Sequence, residues 1–203
     1  MFASPVLVRL AGATATSNLG GSIVMAVYLL YCYRVLHLSP ALVGIVFACS
    51  NAGFIGALFA PRIARRLGTG PTILWSMAGG MGAVLLLPLA LVWQPVAVLL
   101  ASEIVLTLGA TIYNITQVSL RQRLVPADKL GRMSATMKTL VWGTLPLGML
   151  IGGTLGNTIG IVPTIVAGAC VGVCAVPWLI GAPIRTLPPA PAYSSVMSPA
   201  DAG

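Results

Sequence analysis

Glu103-Ile-Val-Leu-Thr-Leu-Gly-Ala-Thr-Ile-Tyr-Asn-Ile-Thr-Gln-Val-Ser-Leu-Arg121 is an apolar run crossed by a single polar stripe. At about 100° per residue, Glu103, Thr107, Thr111, Asn114, Gln117 and Arg121 fall within an arc of about 120° on one helix face. The other faces carry Ile104, Val105, Leu106, Leu108, Ile112, Ile115 and Val118. Glu103 is the only acidic residue inside any apolar segment of the chain. A carboxylate held in hydrocarbon costs on the order of a few kcal/mol unless it faces protein or water. The stripe is therefore expected to face a wet cavity or another helix, and that points to transport.

The composition agrees with a membrane solvent. Of 203 residues, 58% are hydrophobic and 7% charged, against roughly 25% charged in soluble domains. The 23 glycines and 15 prolines sit largely inside apolar runs, where membrane helices tolerate them. A net charge of +8 raises nucleic acid as a partner, but no basic run is interleaved with aromatics on a soluble module. No nucleic-acid partner is expected. Cys32, Cys49, Cys170 and Cys174 form no CxxC pair and His37 has no partner at ligand spacing, so neither a metal site nor a cofactor is expected. Cys170 and Cys174 share a helix face and read as small buried side chains.

Six apolar spans follow in order: about Leu10 to Tyr33, Ala41 to Ala60, Thr72 to Val92, Val96 to Leu120, Met133 to Leu155, and Ile161 to Ile180. Each is near the roughly 20 residues that a helix needs to cross about 30 Å of hydrocarbon. The domain reading is a segment 1–9, a bundle over 10–183 and a disordered tail 184–203 rich in Pro, Ala and Ser. Arg9, then Arg62, Arg65 and Arg66, then Arg121, Arg123, Lys129 and Arg132, then Arg185 alternate with connections holding only Arg34. The excess of positive charge on the inner side then places both termini and both basic loops in the cytoplasm. The fold class is an all-α membrane protein of six transmembrane helices.

A second stripe lies on span one, where Thr14, Asn18, Gly21, Met25 and Tyr28 share about 100° of arc. Spans one and four are thus the candidates for lining a pathway, while spans three and six suit lipid. Gly148, Gly152 and Gly156 recur at four-residue steps in span five, a face that lets another backbone approach closely. Lys138 is expected to snorkel to the cytoplasmic surface, with a reach into the cavity as the alternative, and Arg121 to anchor its helix at the headgroups.

Three segments carry a resemblance. Gly56-Ala-Leu-Phe-Ala-Pro-Arg-Ile-Ala-Arg-Arg-Leu-Gly68 resembles the basic loop between paired spans of the major facilitator superfamily. Tyr113 to Pro126 followed by Leu130 to Lys138, together with Trp142-Gly-Thr-Leu-Pro-Leu-Gly148, is similar to the last half of its drug, siderophore and macrolide exporters. The resemblance implies one six-helix half of a twelve-span carrier in a cell membrane of the bacterial cytoplasmic kind. It further implies that spans one and four line the cavity, two and five meet a second bundle, and three and six face lipid. The loop departs from the family pattern, with Arg65 where the family has Asp and Pro61 where it has Gly, so a charge-paired latch is not expected.

The function expected is transport, namely proton-coupled efflux of a small amphipathic compound, with this chain forming half of the pathway. Glu103 would exchange a proton or hold a cationic substrate, and Thr107, Thr111, Tyr113, Asn114, Gln117 and Asn18 would offer hydrogen bonds. The partners expected are the lipid bilayer, the substrate, protons and a second six-helix bundle, supplied by a fused half, a partner chain or a second copy. The alternative is a truncated or accessory multi-pass protein that moves nothing itself. An enzyme is not expected, because no Ser/His or His/Glu pair sits where nucleophilic or metal chemistry needs it.

Overall fold

Apolar runs that lack water must satisfy their backbone hydrogen bonds within themselves, and here they do so as helices. The computed structural model describes residues 5–124 and 127–180, the side chains of 127–130, 132 and 140 excepted. The expected tail 184–203, the start of the segment 1–9, Arg185 and the side chains of Lys129 and Arg132 lie outside the described residues. Among the described residues, six helices are long and apolar enough to cross a membrane: Pro5–Val35, Pro40–Leu67, Thr69–Leu91, Pro95–Leu124, Met133–Thr158 and Ile161–Ile180. We number them spans one to six. The chain is an all-α transmembrane bundle and a multi-pass membrane protein.

Span two runs seven residues past its expected end at Ala60, through Pro61 to Leu67. The expected basic loop is thus largely a helix end, with Arg65 and Arg66 in its last turn, where cations complement the helix dipole. Gly68 stops it at φ 89°.

Spans three and six are built alike. Span three opens on Gly68-Thr-Gly-Pro-Thr72 and span six on Gly160-Ile-Val-Pro-Thr164. Gly68 and Gly160 adopt φ of 89° and 94°, a region where other residues are strained. Thr72 and Thr164 each donate a hydroxyl hydrogen bond to that glycine's carbonyl, at 2.8 and 2.7 Å. The α-helix of span three then ends at Val84, four residues before Pro88, and that of span six at Val173, four before Pro177. Proline has no N–H to give the carbonyl one turn back, so each helix is interrupted there.

The packing repeats in the same way. Span one packs on spans five and six, and span four packs on spans two and three. Span two touches three as span five touches six, and spans three and six meet each other. Exchanging the first three spans with the last three therefore maps each substantial contact onto another. Three crossings are an odd number, so the second trio enters the membrane from the opposite face. The bundle is an inverted repeat.

Glycines make the symmetric crossings possible. A Cβ on Gly109 of span four would stand 2.5 Å from the Ser76 carbonyl oxygen of span three and 3.0 Å from the Gly80 Cα. A Cβ on Gly20 of span one would meet the Gly172 backbone nitrogen and lie 2.6 Å from the Gly168 carbonyl oxygen of span six. Gly148, Gly152 and Gly156 face span one, against Ser22, Ile23 and Val27. Their counterparts Gly53 and Gly56 of span two face Thr107 and Leu108 of span four.

Span five is the most exposed of the six, and spans two and five turn Phe54, Leu58, Leu147 and Leu150 outward. Spans three and six carry Trp75 and Trp178 on exposed faces. Cys170 and Cys174 differ from the sequence reading, because both are exposed rather than buried.

Gly109→Ala or Gly20→Ala is expected to destabilise the bundle by about 1–3 kcal/mol, the usual cost of overpacking. Gly21 has nothing within 4 Å of its Cβ direction. Gly21→Ala should accordingly be neutral or stabilising by up to about 1 kcal/mol, the helix-propensity gain. Unfolding of the three variants in detergent, side by side with the parent, measures the contrast.

Candidate functional site

Spans one and four make no extensive contact, and the space between them is a cavity of about 580 Å³. Its wall is completed by spans three and five. One hydrogen bond bridges it, between Thr14 Oγ1 and the Tyr113 hydroxyl at 2.6 Å. The Thr14 hydroxyl also donates to the Leu10 carbonyl at 2.8 Å. A hydroxyl has one hydrogen to give, so Tyr113 donates and Thr14 accepts.

The polar wall comes mainly from these two helices. Asn18 donates its side-chain amide to the Thr14 carbonyl at 2.9 Å, and Ser17 donates to the same carbonyl at 3.0 Å. On span four, Asn114 and Gln117 are joined by a long contact of 3.5 Å. The Gln117 carbonyl oxygen is buried and meets no partner among the described residues. Arg121 is half-buried on the same wall, with its Nε buried and unpartnered. Span five adds Lys138 and Trp142, and Met25, Met77, Met81, Met137 and Met149 supply much of the apolar lining. Methionine is flexible and polarizable, so such a surface adapts to irregular apolar shapes.

A smaller cavity of about 120 Å³ adjoins the first, sharing Gly21, Met25, Met81 and Leu106 with it. Glu103, Ser102 and Tyr28 line it. The Tyr28 hydroxyl is buried on the same wall and has no hydrogen bond of good geometry among the described residues. Ser102 Oγ is likewise buried without a partner. Three polar groups thus line one small pocket.

The stripe read from the sequence is therefore divided. Tyr113, Asn114, Gln117, Arg121 and Asn18 line the large cavity, and Glu103 lines the small one. Thr107 and Thr111 line neither, and Thr107 packs on Gly53 of span two. A stripe about 120° wide is broader than the sector one cavity occupies on a helix that also packs on two neighbours. Arg62, Arg65, Arg66 and Arg123 are exposed at helix ends. Arg121 and Lys138 both stand on the cavity wall; for Lys138 this is the second of its two expected positions, whereas the expected position of Arg121 is at the headgroups. The methionine lining was missed as well; Met77 and Met81, four apart on span three, were its legible signal.

Thr14→Val and Tyr113→Phe should be non-additive in unfolding free energy, with a coupling of about 0.6 kcal/mol, typical of hydrogen bonds between membrane helices. A double-mutant cycle in detergent reads it directly. A scan against models of protein families and a search of curated proteins find no match to this chain.

Proposed function

We propose that this chain forms half of a transmembrane pathway for a small amphipathic compound, built like the C-terminal bundle of a major-facilitator-type exporter. The observation that carries the reading is the cavity between spans one and four, polar along those two helices and methionine-lined elsewhere. A bundle whose only task was to sit in lipid would close such a space, because unpaired polar groups in hydrocarbon are costly. The inverted repeat supports the same reading, since carriers of this kind place their substrate where such repeats meet.

Coupling belongs to the small cavity. Glu103 is the acidic side chain of a wall that also holds Tyr28 and Ser102, so a proton can be taken up and passed without a charged partner. The outward apolar faces of spans two and five suit a second six-helix bundle closing the pathway. Whether that bundle belongs to the same polypeptide, a partner chain or a second copy, this chain's role is the same. The basic helix ends and loops face the cytoplasm in this reading.

Two measurements test it. In proteoliposomes holding the assembled transporter, Glu103→Gln should abolish substrate flux driven by a pH gradient while leaving substrate exchange measurable; unchanged pH-driven flux would remove the proton role. With the native cysteines replaced, a cysteine at Gln94 should react with an impermeant maleimide on intact cells, whereas one at Arg65 should react only after permeabilisation. The reverse pattern would invert the orientation.

A further inference from the structure

We propose that the large cavity selects organic anions, taking a carboxylate, phosphonate or sulfonate head between Arg121 and Lys138 and an apolar body against Trp142 and the methionines. This rests on the reading of the cavity as a substrate pathway and narrows its substrate class.

The charge on the wall is one-sided. Among the described residues, Arg121 and Lys138 are its only charged members, and no carboxylate lines it. The acidic residue of the small cavity, Glu103, lies eighteen residues from Arg121 along one helix, or about 27 Å at 1.5 Å per residue. It cannot neutralise Arg121 at that range. Neither cation forms an ion pair among the described residues, and the Arg121 Nε is buried with no acceptor.

A guanidinium partly withdrawn from water inside a membrane protein calls for an anionic or carbonyl partner. Its planar fork suits a carboxylate or phosphonate, and the Lys138 ammonium on the same wall is a second cation for such a head. Hydrogen-bond donors are also at hand. The Asn114 amide group lies on the same wall, with its oxygen engaged by Gln117 and its NH2 left to donate. A cationic compound would meet two like charges in the same space. The negative site, Glu103, is thereby separated from the substrate's head and left for protons.

The chain purified in a neutral detergent can be tested as it stands. Trp142 is the only tryptophan on the cavity wall, so the quenching lost in Trp142→Phe reports occupancy and subtracts the signal from micelles and the other tryptophans. The probes are 4-nitrobenzoate, its neutral isostere 4-nitrobenzamide, and 4-nitrobenzyltrimethylammonium. The benzoate should bind at least roughly tenfold more tightly than the amide, the scale of one charge-assisted contact, with the ammonium weakest. Lys138→Gln and Arg121→Gln should each bring the benzoate toward the amide, and Arg121→Lys should keep most of the preference; if Arg121→Gln does not fold, the other two variants decide.

An anionic lipid headgroup could offer the same chemistry, so the titration is repeated in micelles doped with phosphatidylglycerol or with phosphatidylcholine. Persistence of the benzoate preference in both supports a solute site. Its loss only with phosphatidylglycerol assigns the cations to lipid and overturns the proposal. Equal binding of all three probes overturns anion selection and leaves the pathway reading standing. If no probe reaches Trp142, the pathway reading falls and this inference with it.

Discussion

Backbone must touch backbone for this bundle to hold together. In lipid, helices gain little from hiding apolar side chains, since the tails outside are as apolar as the neighbours inside. What remains is close packing, and it is closest where glycine removes the side chain. Gly109 against Ser76 and Gly80, and Gly20 against Gly168 and Gly172, lock span four to span three and span one to span six. Gly53 and Gly56 on one side, and Gly148, Gly152 and Gly156 on the other, bring spans two and five onto the same pair. Spans one and four are thereby each held on two sides and left free of each other.

That freedom is the origin of the cavity. Each of the two central helices spends two faces on close neighbours and keeps a third, polar face without a helix against it. Apolar clusters seal the structure elsewhere. Tyr28, Tyr31, Val43, Val46, Leu87, Leu99 and Ile165 gather where span one ends, and the Tyr31 hydroxyl donates to the Leu87 carbonyl at 2.7 Å. Val6, Leu10, Ile73, Tyr113, Leu120 and Leu179 gather where it begins. The cavity lies between spans held by these clusters, crossed only by the Thr14 and Tyr113 pair.

Charge is then sorted between the two cavities. The cations Arg121 and Lys138 occupy the large cavity, and the carboxylate Glu103 occupies the small one. A single mixed site would let Arg121 and Glu103 pair, and a buried pair of that kind leaves little for a ligand or a proton to do. Separation keeps both groups available. The methionines between and around them add an apolar surface that conforms to what it meets.

Much of this was legible in the sequence. The six spans appear as apolar runs because about 30 Å of hydrocarbon sets a length that composition must match, and the structure moves their ends by only a few residues, except at Leu67. Glu103, Asn114, Gln117 and Asn18 stood out because polar residues are rare in such runs. The recurrence of Gly-x-x-Pro-Thr at 68–72 and 160–164 was also readable as an internal repeat. Which flank of the stripe meets Gly53 and which meets the cavity was not readable. The sequence by itself determined the number and length of the crossings, since those answer to the solvent. Only the tertiary structure decided how each helix is rotated, because rotation depends on which glycine faces which backbone, and that belongs to a pair of helices rather than to either one.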